Sequence, residues 1–120
     1  MSSAQGPRYG LEERTFLFAK RVRTFVKRLP RTVCNIEDVK QLVKASGSVG
    51  ANYIEANESL GKKDFRLRIK ISRKEAKESV YWLRLLDAGT NADVERDRKD
   101  LMQEGTELMK IFGAILRNSE

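Results

Sequence analysis

The chain has no histidine, one cysteine and two prolines in its 120 residues, and each scarcity closes off a class of protein. Without imidazole there is no Ser-His-Asp or Cys-His pair, no histidine-held metal and no side chain that titrates near neutrality unperturbed. The lone Cys34 cannot form a disulfide within the chain, which points to a reducing cytoplasm. Beside an inter-helix turn, with nothing to activate its thiol, it reads as a packing or incidental residue and not as a nucleophile. Pro7 and Pro30 are the only residues that must interrupt a helix. No apolar run is long enough to span a bilayer, and no basic-then-apolar leader opens the chain, so neither a membrane segment nor a secretory signal is expected. Alternating strand patterns are also missing.

What remains is a chain rich in Ala, Leu, Lys, Arg and Glu, with 40% hydrophobic residues, enough to fill the core of one all-helical domain. Its net charge of +7 is unevenly placed. Residues 1–31 hold eight Lys or Arg against two Glu, residues 32–61 two against four acids, residues 62–88 nine against four, and residues 89–120 five against seven. Basic and acidic segments therefore alternate along the chain. Such a pattern suits an antiparallel bundle in which basic helices lie between acidic neighbours, and the excess also suits attraction of a polyanion such as nucleic acid.

The stretch from Asp64 to Ala88 dominates the pattern. Phe65, Ile69, Ser72, Ala76, Ser79, Leu83 and Leu86 recur at steps of four and three, the signature of a single helix face. A second stripe of Leu67, Ile71, Glu78, Trp82 and Leu85 lies beside it, making the apolar surface wider than one core-facing seam requires. The reading is a long helix over residues 63–88, capped at its end by Gly89. Before it, Leu11, Thr15, Phe18, Val22, Phe25 or Val26, and Leu29 mark a first helix that ends at Pro30. Asn35 followed by Glu37 and Asp38 predicts the cap and first turn of a second helix. Its stripe runs through Val39, Leu42 or Val43, Ser46, Val49, Tyr53 and Ile54. Gly47 and Gly50 inside it are read as points where a neighbouring helix comes close, since their spacing fits neither a P-loop nor a dinucleotide fingerprint. Asn91 or Asp93 caps a fourth helix carrying Leu101, Leu108, Ile111 or Phe112, and Ile115. Residues 1–10 read as a loose tail and residues 11–118 as one domain. Four helices with short connections predict an antiparallel up-down-up-down bundle, with the first and third helices on a diagonal.

Two surfaces follow from this arrangement. Lys62, Lys63, Arg66, Lys70, Arg73, Lys74 and Lys77 repeat along the third helix at spacings that put most of them on one face, where they could track a phosphate backbone. Arg21, Lys27 and Arg28 on the first helix join them if the helix ends are close. Aromatic residues for stacking are scarce, so binding to RNA or DNA through this face would be salt-sensitive and weakly sequence-specific. Leu67, Ile71, Tyr81, Trp82 and Leu85 form a candidate self-association surface anchored by Trp82. Glu55 with Glu58 and Glu75 with Glu78 resemble the carboxylate pairs of metal-holding bundles, but the imidazoles of those sites are missing, so no metal, cofactor or catalytic residue is assigned. The function expected is that of a non-enzymatic, oligomeric accessory or scaffolding protein that binds nucleic acid. The alternative is a pure assembly module whose basic faces meet acidic partner surfaces.

The runs SGSVGANYIEA at 46–56, KKDFRLRIKISRKEAKESVYWLRLL at 62–86 and ELMKIFGAILRN at 107–118 resemble the bacterial four-helix bundle family encoded in intervening sequences of 23S rRNA genes. The likeness extends from Leu11 to Asn118. It implies a homopentamer of bundles packed side by side around an axis, and it brings no catalytic residues. It also implies kinship in fold with the accessory proteins of diversity-generating retroelements, which bind nucleic acid and a reverse transcriptase through basic surfaces. Their motifs are not evident here, so a reverse transcriptase partner is implied by analogy of fold and charge alone.

Overall fold

The computed structural model describes residues 10–120, so the stretch read as a tail lies outside the described residues except for Gly10. Four helices follow in order: α1 (Leu11–Val26), α2 (Val33–Asn57), α3 (Lys62–Leu85) and α4 (Ala92–Asn118). Each helix packs against two others. α1 touches α2 and α4, and α3 touches α2 and α4, which leaves α1 and α3 on one diagonal and α2 and α4 on the other.

Side-chain bridges fix three of the four neighbouring pairs as antiparallel, and in the fourth, α1 with α2, Gly50 lies beside Thr15 and Gly47 beside Arg23, which gives the same sense. Arg14 forks onto Glu104 with both bonds at 2.8 Å, and Arg28, near the other end of α1, pairs with Asp97. Between α2 and α3, the Ser72 hydroxyl donates to the Val49 carbonyl at 2.9 Å, and Arg68 donates to Asn52 at 3.1 Å. Arg66 on α3 meets the last turn of α4, while Arg98 near the start of α4 meets the last turn of α3.

The seam predicted on α3 is the seam the core uses. Ile69, Ser72, Ala76, Ser79 and Leu83 are all buried, facing Phe18, Val22 and Phe25 of α1, Leu42 and Val49 of α2, and Leu101, Leu108 and Phe112 of α4 in one cluster. Buried Ser72 and Ser79 avoid the cost of unpaired hydroxyls by donating to backbone carbonyls. α1 and α2 approach closely at Gly50, where a Cβ would stand 2.8 Å from the Thr15 hydroxyl oxygen. Gly47 has only the tip of Arg23 near it, so of the two glycines read as close-approach points, Gly50 is the one against a neighbouring helix.

Three helix ends differ from the sequence reading, for physical reasons. α1 stops at Val26 because its last turn tightens: Arg28 N–H bonds to the Phe25 carbonyl and Leu29 N–H to the Val26 carbonyl, carrying Leu29 into the core ahead of Pro30. α2 is capped by Thr32, whose side chain accepts from the Asn35 N–H at 3.1 Å, and not by Asn35; Glu37 and Asp38 therefore fall beyond the first turn. α3 ends at Leu85, and Gly89 is not its cap. The Asp87 backbone, which would have continued the helix, bonds instead to the Asn35 side chain.

That Asn35 side chain ties together the two connections at this end of the bundle. Its amide donates to the carbonyls of Pro30 at 2.9 Å and Asp87 at 2.8 Å, and its oxygen accepts from the Asp87 N–H at 3.0 Å. Gly89 sits beside Pro30 with φ +74°, and a Cβ there would meet the proline ring at 3.1 Å. Both the left-handed backbone and the close approach of the two loops favour glycine at that position. Of the two caps the sequence leaves open for α4, Asn91 is the one used, its side chain accepting from the N–H groups of Asp93 and Val94.

Candidate nucleic-acid interface

α3 and α4 lie side by side, and their outward edges leave an open groove of about 630 Å³. On α3 it is lined by Lys70, Arg73, Lys74 and Lys77, at helical spacings that keep all four on one side. On α4 it is lined by Met109, Lys110, Gly113 and Arg117, again at steps of three and four. Six cations thus face one groove with no carboxylate in its lining. None of the six forms an ion pair among the described residues. Like charges held together in this way repel one another, and an incoming polyanion relieves that repulsion.

The other basic residues expected on this face have different placements. Lys62 and Lys63 are exposed at the start of α3, beside Arg66, Leu67 and Lys70, and extend the cationic track past the groove's end. Arg66 is half-buried and occupied: its Nη1 donates to the Leu116 carbonyl and the Ser119 hydroxyl, both at 2.6 Å, closing the C-terminus of α4. A guanidinium there also meets the negative end of the α4 dipole. Arg28 is paired with Asp97. Arg21 lines a shallow recess between α1 and α4 that also contains Arg28 and Asp97, and Lys27 is exposed in the turn after α1. Asp97 precedes Lys110 by thirteen residues of α4, about 20 Å along the axis. The α1 cations are therefore not part of the α3/α4 groove.

Sequence reasoning misses Lys110 and Arg117. Their signal is the spacing Lys110, Gly113, Arg117, which puts two cations and a gap between them on one helix face.

The candidate association surface separates into two parts. Leu67, Tyr81 and Leu85 stand half exposed, at 53%, 54% and 49%, along the outer ridge of α3. Ile71 and Trp82 are more sheltered, and Trp82 packs against the bundle's own core with its ring edge-on to Tyr81 at 5.1 Å between centroids. On the far side of the bundle, Phe16 and Ile54 are exposed on either side of a groove floored by Gly47, Gly50 and Ala51, with Glu12 and Glu13 also in its lining.

The glutamate pairs do not converge. Among the described residues, no group of three or more Asp, Glu or Cys side chains is placed to hold a metal ion. Glu75 is half-buried, and its carboxyl titrates above the ordinary range, first because burial disfavours the charge and then because Glu78 is near; Lys74 and Lys44 pull the other way. Among the described residues, no helix is long and apolar enough to cross a membrane.

Four antiparallel helices with no strand among the described residues, a cationic groove on one seam and an apolar ridge next to it define the class: a small all-α bundle. The chain belongs to the 23S rRNA-intervening sequence protein family, whose sequence model matches residues 11–114. The chain is also similar to a crystal structure of a protein of unknown function from the S23 ribosomal protein family of Bacteroides thetaiotaomicron. That likeness has a TM-score of 0.74 at 27% identity and covers 89% of this chain and 98% of the other. No curated protein matches the chain significantly.

Proposed function

We propose that this chain is a non-enzymatic, self-associating bundle that binds the phosphate backbone of RNA or DNA along the α3/α4 groove. The observation that carries the reading is the groove's lining, six Lys and Arg side chains and no carboxylate. Phosphate contacts give affinity without sequence information, and the lining holds no aromatic ring to stack on bases and no amide to read their edges. Binding is then general in sequence and steep in salt. Filter retention of a labelled RNA hairpin or DNA duplex, titrated across salt concentrations, tests this. If all six cations neutralise phosphates of a duplex, the logarithm of affinity falls against the logarithm of salt with a slope of about −5. Absence of any retained nucleic acid at low salt would sink the proposal.

The assembly half of the proposal has its own support. Leu67, Tyr81 and Leu85 stand half exposed on one side of α3, and apolar side chains gathered on one outward face are a feature of association surfaces. Lys63, Lys70 and Lys74 share the exposed side of α3 with Leu67, while the exposed Phe16 and Ile54 lie near Glu12 and Glu13. One side is thus apolar and basic, and the other apolar and acidic, which suits head-to-tail contact between copies. Mass measurement in solution is expected to give a multiple of 13.8 kDa, and five copies would match the homopentamer that the family resemblance implies. A single-copy mass at working concentration would remove this half and leave the groove as it stands. In the pure-assembly alternative, the same basic face meets only acidic protein surface, and charge reversal breaks the oligomer without a nucleic-acid effect.

A further inference from the structure

α2 carries a second apolar stripe beside its core seam. Ile36, Val43, Gly47, Gly50 and Ile54 recur at steps of seven, four, three and four, on the flank where Gly50 meets Thr15 and Gly47 meets the tip of Arg23 of α1. Ile36 and Ile54, at its two ends, are exposed. At the Ile54 end the stripe forms one wall of the α1/α2 groove, about 380 Å³, with exposed Phe16 on the other wall. The outer ridge of α3 repeats the spacing. Leu67, Lys74, Glu78, Tyr81 and Leu85 follow the same steps of seven, four, three and four, with half-exposed leucines at both ends. In stripe and ridge alike the end residues are 18 positions apart, five full turns or about 27 Å of helix.

Charge gives the pairing a direction. The groove is acidic at the Ile54 end, where Glu12 and Glu13 line it and Glu55 and Glu58 are exposed at the end of α2. The ridge is basic at the Leu67 end, where Lys62, Lys63 and Lys70 are exposed. None of these seven side chains forms an ion pair among the described residues. From this we infer that the α1/α2 groove is the socket for the α3 ridge of a second copy of this chain, laid antiparallel to α2 so that Leu67 enters between Phe16 and Ile54 while Leu85 reaches Ile36. The inference rests on the self-association proposed above and names its contact and its direction. Laid this way, Lys63 and Lys70 approach Glu12 and Glu13, and Glu78 falls opposite Val43, between the exposed Lys40 and Lys44 and one turn from Arg23. The reverse direction would set Lys70 and Lys74 against Lys40 and Lys44. Because α3 also runs antiparallel to α2 within one bundle, neighbouring copies point the same way. A ridge that meets a different surface on the next copy is a heterologous contact, which closes into a ring when its rotation allows.

Ridge and socket lie on different faces, so each can be broken alone. Leu67→Glu with Leu85→Glu breaks the ridge, and Phe16→Glu with Ile54→Glu breaks the socket; all four residues are exposed, which keeps the fold out of the comparison. Each double variant alone is expected to run as a single copy of 13.8 kDa. Mixed in equal amounts they are expected to form a two-copy particle and nothing larger, because one intact ridge still finds one intact socket. Direction is read by cross-linking with a short bis-maleimide in a Cys34→Ser background. Leu67→Cys with Ile54→Cys is expected to give a ladder of covalent multimers, and Leu67→Cys with Ile36→Cys none. If the wild type assembles but the socket variant assembles equally well, or if neither cysteine pair gives a ladder, the socket is wrong and the broader assembly reading survives. A ladder from the Ile36 pair alone overturns the direction and with it the charge pairing argued here. If the wild type is itself a single copy, the assembly reading falls and takes the socket with it.

Discussion

Reversing two groove cations, Arg73→Glu with Lys77→Glu, is expected to weaken RNA binding by about two orders of magnitude near 0.1 M salt. Each phosphate deprived of its cation takes about 0.9 from the salt slope on a duplex, so two such phosphates cost a little under two decades at that concentration, and the introduced carboxylates add repulsion. Both side chains are exposed, which keeps the fold out of the comparison. The control is the same change in net charge placed elsewhere: Arg21→Glu with Lys27→Glu, on α1 and the turn after it, away from the groove. If affinity depends only on the chain's overall +7, the two double variants weaken binding equally. If the groove is the interface, the α1 variant is weakened far less, because charges beyond about 10 Å are largely screened at this ionic strength. An unchanged affinity for the α3 variant would refute the assignment of the groove. A broken oligomer with intact RNA binding would instead point to the assembly role for these cations.

This comparison depends on residues that the sequence makes visible unequally. The cationic face of α3 is legible because Lys70, Arg73, Lys74 and Lys77 follow helical spacing, a local property that needs no knowledge of the neighbouring helix. The far wall is not. Residues 89–120 carry five bases against seven acids, and that sum hides their order: the six acids from Asp93 to Glu107 precede Lys110 and Arg117. A helix of 27 residues is long enough for its two ends to carry opposite charge, so averaging along α4 cancels the feature that matters. Arg66 shows the reverse error. Its position on α3 suits the cationic track, but the end of α4 arrives beside it and takes its donors. The apolar seam from Ile69 through Leu83 is legible because burial there follows periodicity, whereas Trp82, outward by its stripe, rests partly against its own core. Which helix covers a flanking position is decided by tertiary packing, and no local spacing encodes it.

Asn35→Ala is expected to cost about 3 kcal/mol of stability, lowering the melting temperature by roughly 10 °C. The sequence places Asn35 as a helix cap, a role worth about 1 kcal/mol. The structure gives that role to Thr32 and makes Asn35 a buried bridge to a residue 52 positions away. Truncation leaves the Asp87 N–H and the Pro30 and Asp87 carbonyls without this partner, in a place where the residue is only 2% exposed. These bonds are part-buried and there are three of them, so the loss exceeds that of one ordinary surface hydrogen bond. Thr32→Ala, which removes only the cap, is expected to cost about a third as much, and denaturant unfolding of the two variants separates bridge from cap. Asn35→Asp gives a sharper readout. It keeps the oxygen that accepts from Asp87 N–H but sets a carboxylate against two carbonyl oxygens, which raises its folded pKa above the unfolded value. A raised acid pKa means that the folded state holds the proton more tightly, so the penalty relative to wild type is smallest at low pH, where the protonated oxygen can still donate one bond. The penalty grows as pH rises through the unfolded pKa of about 4 toward the folded one. A variant equally destabilised at pH 4 and pH 7 would show that the two loops are not joined through this side chain. Both connections lie at the end of the bundle opposite Arg117, so loosening them is expected to lower stability while leaving RNA affinity intact in the fraction that remains folded.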